Sequence, residues 1–206
     1  MSANTIVGRF RAGHQIDDRP ASIEEWRITT GDPDVAAKVY ELYGGQAPQE
    51  WAAKGEDNIE VFTASAEVAV IIECAKALRQ RMVLWGRSGK PIYVSNGDAE
   101  EVAALDGFGE LPEYRSGVGA EPDIELYFRL AEDPELGVFK FKTGSWGFAS
   151  DLAYNGVAEA LEAAEGPTKA ILKLEPVSFV AKNGPRKGQT VSYRAARLSL
   201  SGRSTP

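Results

Sequence analysis

The chain has 206 residues, with 30 acidic side chains against 23 basic ones, one histidine, one cysteine and a formal net charge of −7. Zinc ribbons, Cys–His nucleophile pairs and Ser–His–Asp triads need those scarce residues in combination, and neither His14 nor Cys74 has the company to build one. A pI near 4.9 argues against generic gripping of duplex DNA, because that affinity comes mainly from cationic contacts to phosphate.

The length suits one domain or two closely packed lobes, burying roughly 70% of the surface the unfolded chain exposes. Hydrophobic residues make up 43% and aromatics 9%, too many for global disorder. Cys74 has no second cysteine to pair with, which fits a reducing compartment. No apolar run reaches the roughly 18 residues of a membrane span. Met1-Ser2-Ala3-Asn4-Thr5 has no basic stretch followed by an apolar one, so a cytoplasmic location is expected.

Residues 1–24 read as a flexible leader, broken by Asp17-Asp18 and Pro20. Residues 25–200 form one compact domain, or two lobes joined near 107–122, and 201–206 form a frayed tail. Glu25-Trp26-Arg27-Ile28-Thr29 alternates as a strand. Asp32 as N-cap, Pro33 at the first helical position and Gly44-Gly45 as the stop predict a helix over 33–43. Strands are expected over 58–63 and, from the alternation of Val68, Val70 and Ile72, over 67–72. Residues 81–85 and 91–94 flank Gly86-Arg87-Ser88-Gly89-Lys90 as a hairpin, 98–105 suggest a short acidic helix, and the glycine-rich 107–122 a loop.

The second half follows the same logic. Strands are expected over 124–130 and 138–142, joined by Asp133-Pro134-Glu135. Ser145 caps a helix over 146–164 that Asn155-Gly156 divides and Gly166-Pro167 ends. Strands follow over 170–174, 177–181 and 190–200, the last two joined by a hairpin loop at 183–188. The predicted fold class is α+β: largely antiparallel sheet, with one wet face, and two to three packed helices.

The net charge conceals a split. Residues 168–206 carry eight basic side chains and a single acidic one, Glu175, so that segment is +7 and residues 1–167 are −14. Such asymmetry points to a partner-facing surface or to internal docking of opposite charges. The residues expected to meet a partner are Lys182, Arg186, Lys187, Arg194 and Arg197, with Trp146 from the preceding aromatic–basic segment.

No nucleotide motif is present. Gly86-Arg87-Ser88-Gly89-Lys90 has neither the glycine spacing of a P-loop nor a Ser or Thr after the lysine, and no helix follows Gly107-Phe108-Gly109 to make a dinucleotide fingerprint. Glu56 and Asp57 are the best carboxylates for a metal, lying just before a strand. In Phe139-Lys140-Phe141-Lys142, strand alternation sends the rings one way and the lysines the other. Single-strand binders instead place aromatics and cations on one face.

Four blocks carry a family likeness. They are Glu25-Trp26-Arg27-Ile28-Thr29-Thr30 with Val39-Tyr40-Glu41-Leu42-Tyr43-Gly44-Gly45; Trp51 through Asn58-Ile59-Glu60-Val61-Phe62-Thr63; Gly137-Val138-Phe139-Lys140-Phe141-Lys142-Thr143-Gly144-Ser145-Trp146; and Leu172-Lys173-Leu174-Glu175-Pro176-Val177. In this order the set resembles phage recombination directionality factors that partner large serine integrases. The resemblance implies a non-catalytic accessory protein with no cofactor. Its partners would be a large serine integrase and the integrase–DNA synaptic complex, which it would shift from integration to excision. It would act in the cytoplasm of a bacterial host, away from membranes and with only weak or indirect contact to nucleic acid. Longer members carry a cysteine-rich, metal-site-like insertion; here the corresponding 85–115 has no cysteine, so zinc does not carry over. The +7 segment and the aromatic–basic strands support a second expectation, a phage single-stranded nucleic-acid-binding or replication accessory protein.

Overall fold

A computed structural model describes residues 5–16, 19–53, 55–86, 91–95, 119–184 and 187–201. The strands among them are β1 (Ile6–Ile16), β2 (Arg19–Thr30), β3 (Gln46–Glu50), β4 (Ile59–Phe62), β5 (Glu67–Ile72), β6 (Leu78–Trp85), β7 (Pro91–Ser95), β8 (Glu121–Leu130), β9 (Val138–Thr143), β10 (Thr168–Val180) and β11 (Thr190–Ser201). The helices are α1 (Pro33–Tyr43), α2 (Trp146–Tyr154) and α3 (Val157–Glu162). The fold is α+β, as the alternation predicts. The strands join in the order β11-β10-β5-β8-β9-β1-β2-β4-β3, and only the β1–β9 pair is parallel among the described strands. Strand β8 is the branch point. Its C-terminal end pairs with β5 and its N-terminal half with β6, which in turn holds β7.

The stretch expected as a leader is built into the sheet. Residues 6–16 form β1 and residues 19–24 open β2, and the two strands pair as a hairpin. One ring explains why a polar segment orders. Phe10 is 2% exposed and meets Trp26, Phe128 and Phe139 edge to face, with centroids 5.6, 5.1 and 5.7 Å away. The network continues from Trp26 to Phe141 and on to Phe148 of α2. Trp26 also donates from Nε1 to the Ala66 carbonyl at 3.0 Å, so its single polar atom is satisfied inside the core.

Helix α1 starts and stops where its residues predict. Asp32 Oδ1 accepts from the amide N–H of Asp34 at 2.9 Å, and the Gly44 N–H donates to the Tyr40 carbonyl at 2.8 Å. Val35, Ala36 and Val39 face the core. Gly45 then turns with φ +87° against β4, where a Cβ would lie 2.0 Å from the Phe62 carbonyl oxygen, so only glycine fits. Ser145 Oγ caps α2 by accepting from Phe148 N–H, and Asn155-Gly156 separates α2 from α3 as expected.

Two further elements differ from the expectation. Strand β3, Gln-Ala-Pro-Gln-Glu, is fully exposed and has no apolar alternation; it forms because β4 offers it a ladder, and Pro48 sits on this edge, where the missing N–H costs nothing. Strand β10 runs unbroken through Pro176. The Leu174 N–H donates to the Ala66 carbonyl at 2.9 Å on the β5 side; two residues on, Pro176 points to the same side beyond the end of β5, where no donor is required. The acidic helix expected at 98–105 and most of the loop expected at 107–122 lie outside the described residues, while Glu121 and Pro122 belong to β8.

Candidate functional site

Strands β10 and β11 pair from Lys169 opposite Ser201 to Val180 opposite Thr190. Strand β5 accompanies β10 only from Thr168 to Lys173. Beyond Leu174, whose N–H still donates to the Ala66 carbonyl, the hairpin continues as a two-stranded arm with no further strand paired to it among the described residues. Its root is core: Ala170, Leu172, Leu174, Ala196 and Leu198 are buried. Farther out, cross-strand pairing puts Val177 beside Tyr193 and Phe179 beside Val191 on one face, with Ser178 beside Ser192 and Val180 beside Thr190 on the other. Phe179, Val180 and Tyr193 remain 49%, 56% and 44% exposed.

The arm's end is held by its own backbone. Gly188 N–H donates to the Ala181 carbonyl at 2.8 Å, Ala181 N–H to the Gln189 carbonyl at 3.0 Å and Lys187 N–H to the Gly184 carbonyl at 3.1 Å. Lys182 and Lys187 are exposed there and make no ion pair among the described residues, while Arg186 lies outside those residues.

The other residues expected to meet a partner are placed differently. Arg194 stands opposite Pro176 at the middle of the arm. Arg197 is turned inward to α2. Its Nη1 donates to the Gly147 carbonyl at 3.3 Å and lies 3.9 Å from Asp151 Oδ1, and its Nε is 3.7 Å from Glu175 Oε2. Arg197 therefore docks α2 against the arm's root. Trp146 opens α2 and is 37% exposed; Tyr154 closes the same helix at 91%. Phe179, Tyr193 and Tyr154 were not singled out by charge. For Phe179 and Tyr193 the available signal was apolar residues on both faces of the hairpin's outer strands.

The lysines of β9 have a different occupation. Phe139 and Phe141 are buried and Lys140 and Lys142 point away from them, as alternation predicts. Lys140 Nζ lies 2.6 Å from Glu125 Oε1 and Lys142 Nζ 2.7 Å from Asp123 Oδ1. Arg81 pairs with Asp123, and the Tyr127 hydroxyl donates to Glu125 Oε2 at 2.9 Å. Burial pushes the Glu125 carboxyl up, but the hydrogen bonds from Lys140 and Tyr127 and the nearby lysine charges outweigh it and hold the group below its ordinary range. These cations are neutralised within the sheet, which leaves the β9 strand poorly suited to a stacking platform for bases.

Asp57, one of the two metal candidates, pairs with Arg9 at 2.9 Å, and its carbonyl accepts from Trp51 Nε1 at 2.7 Å. Among the described residues no three His, Cys, Asp or Glu side chains converge as a metal requires. Among these residues, too, no helix is long and apolar enough to cross a membrane.

Among the described residues, the arm and α2 present exposed aromatic rings, and the arm's end presents two exposed lysines. No solved structure matches the chain. The family model described as Gp3-like, recombination directionality factor-like, matches residues 7–201, from the first strand to the last. This chain belongs to that family of recombination directionality factor-like accessory proteins, which is not a catalytic family.

Proposed function

We propose that the protein binds a large serine integrase in the bacterial cytoplasm and shifts it from integration to excision, without catalysing a step itself. The observation that carries this reading is that the arm and α2 expose five large apolar side chains, namely Phe179, Val180, Tyr193, Trp146 and Tyr154, with Phe179 and Tyr193 in ring contact. Exposed aromatics flanked by arginine are the composition of interface hot spots. The integrase supplies the nucleophile and cuts DNA. The factor binds one arrangement of the integrase more tightly than another, and its leverage equals that difference in affinity; a 1:99 to 99:1 reversal needs about 5.5 kcal/mol. Phe179, Tyr193 and Trp146 anchor the contact, Lys182, Lys187 and Arg194 set its electrostatics, and Arg197 holds the two halves of the surface together.

The experiment is co-purification with a cognate large serine integrase, combined with recombination between the paired prophage-end sites. Binding and stimulated excision are expected from the wild type, and loss of both from Phe179→Ala with Tyr193→Ala. Absence of binding by the wild type removes the proposal. The alternative of a single-strand binder draws on the same basic segment, but the compensated lysines of β9 take away its other support.

A further inference from the structure

We infer that the edge of β10 beyond β5 takes up an extended segment of the integrase as an added strand. In an antiparallel ladder, successive residues turn their peptide groups to opposite sides. Leu174 N–H reaches the Ala66 carbonyl on the β5 side, so the peptide groups of Pro176, Ser178 and Val180 point to that same side. Those of Val177 and Phe179 turn to β11. Strand β5 pairs no farther than Lys173, and no described strand takes its place. Ser178 and Val180 therefore each present an N–H and a carbonyl along an open edge, and Pro176 presents a carbonyl alone. All three residues are exposed.

The side chains along this edge fit such a guest. Natural sheet edges are blunted by charge, which keeps stray strands from pairing. Here Pro176-Val177-Ser178-Phe179-Val180-Ala181 contains no charged residue, and Pro176 blunts only the end next to β5. On β11 the outward row includes Arg194, which stands opposite Pro176. Exposed apolar side chains lie on both faces of the ribbon: Phe179 and Tyr193 on one, Val180 on the other. A helix laid on the arm covers one face only, whereas a strand added at the edge brings alternate side chains beside both. The guest is thus an extended segment of about five residues, apolar where it flanks Phe179 on one face and Val180 on the other. Main-chain hydrogen bonds supply its affinity and the flanking side chains its specificity. This inference rests on the integrase reading and gives that contact its mode.

The test is hydrogen exchange, read residue by residue, in the full chain alone and bound to a cognate large serine integrase. The affinities of Ser178→Pro and Ser178→Ala are measured alongside. In the complex, the Ser178 and Val180 N–H groups are expected to exchange about tenfold more slowly, or slower still, than in the free chain. Ser178→Pro removes one edge donor, as Pro176 does two residues earlier, and is expected to weaken binding about tenfold. Ser178→Ala keeps that donor, loses only an exposed contact to Ser192, and is expected to bind as the wild type does. Slow exchange at Val177 and Phe179, whose N–H groups face β11, verifies that the proline variant keeps its arm. Where it does not, exchange in the wild type decides alone. Integrase binding with unchanged exchange at Ser178 and Val180, or undiminished binding by a folded Ser178→Pro, overturns the inference and leaves the integrase reading standing. A wild type that does not bind removes both. Protection of Ser178 and Val180 in the free chain that grows with protein concentration places a second copy at this edge and overturns the inference too.

Discussion

The ring of Phe179 meets that of Tyr193 edge to face across the arm, 6.4 Å between centroids, and both residues remain half exposed. The pair stiffens a two-stranded ribbon to which no third strand is hydrogen-bonded among the described residues. Exposed apolar side chains fixed in place in this way lose little freedom on binding a partner. Phe179→Ala is therefore expected to weaken integrase binding tenfold or more, while the unfolding free energy changes by no more than about 1 kcal/mol, because little buried area is lost. Calorimetric titration and urea unfolding of the same sample check both parts.

Trp26 represents the opposite case. It is fully buried, packs on Phe10 and Phe141, and spends its Nε1 on Ala66. Trp26→Ala is expected to cost about 3–5 kcal/mol, and Trp26→Phe less, since an aromatic ring remains in the cluster while the hydrogen bond and part of the buried volume are lost. Denaturant midpoints with unchanged slope are the measurement.

Glu125 links stability to pH. Its folded-state pKa lies below the ordinary 4.5, so the carboxylate contributes stability that is fully present above that value. The contribution fades as pH falls through the depressed folded value, where Glu125 protonates and Lys140 loses its partner. Glu125→Gln is expected to lower stability at neutral pH by about 1–3 kcal/mol and to flatten the acid limb of the stability curve. Unfolding followed from neutral to acid pH in both proteins gives the comparison, and an unaltered limb in the variant removes the assignment.

Gly45→Ala tests the α1–β4 turn. The substitution brings a Cβ against the Phe62 carbonyl and imposes φ +87° on an L-residue. A loss of about 2–4 kcal/mol is expected, with the exposed strand β3 the first region to lose hydrogen-exchange protection. Exchange mass spectrometry reports the location directly.

Much of this fold is local chemistry. Helix α1 was legible to the residue because Asp32, Pro33 and Gly44-Gly45 act within one turn of its ends. The division of α2 from α3, the β6–β7 hairpin, the α+β class and the inward Phe139 and Phe141 came from the same short-range rules. The family was legible too, because its four blocks are contiguous runs of residues. Strand β1 was not: its single large ring, Phe10, gains meaning only when three other aromatics close on it from β2, β8 and β9. Strand β3 was not, because an edge strand takes its pairing from a neighbour and needs no apolar pattern of its own.

The candidate surface divides in the same way. Sequence alone determined that charge is segregated, with a +7 segment after a −14 body, and that this segment makes a hairpin. Counting charges treats Lys173, Lys182, Lys187 and Arg197 alike. Only the tertiary structure decided which of them keep their charge for a partner. Lys173 and Arg197 fall beside Glu67, Glu175 and Asp151, while Lys182 and Lys187 are carried past the end of β5, beyond the reach of any described carboxylate. An ion pair depends on distance through space, and that distance is set by where neighbouring strands end.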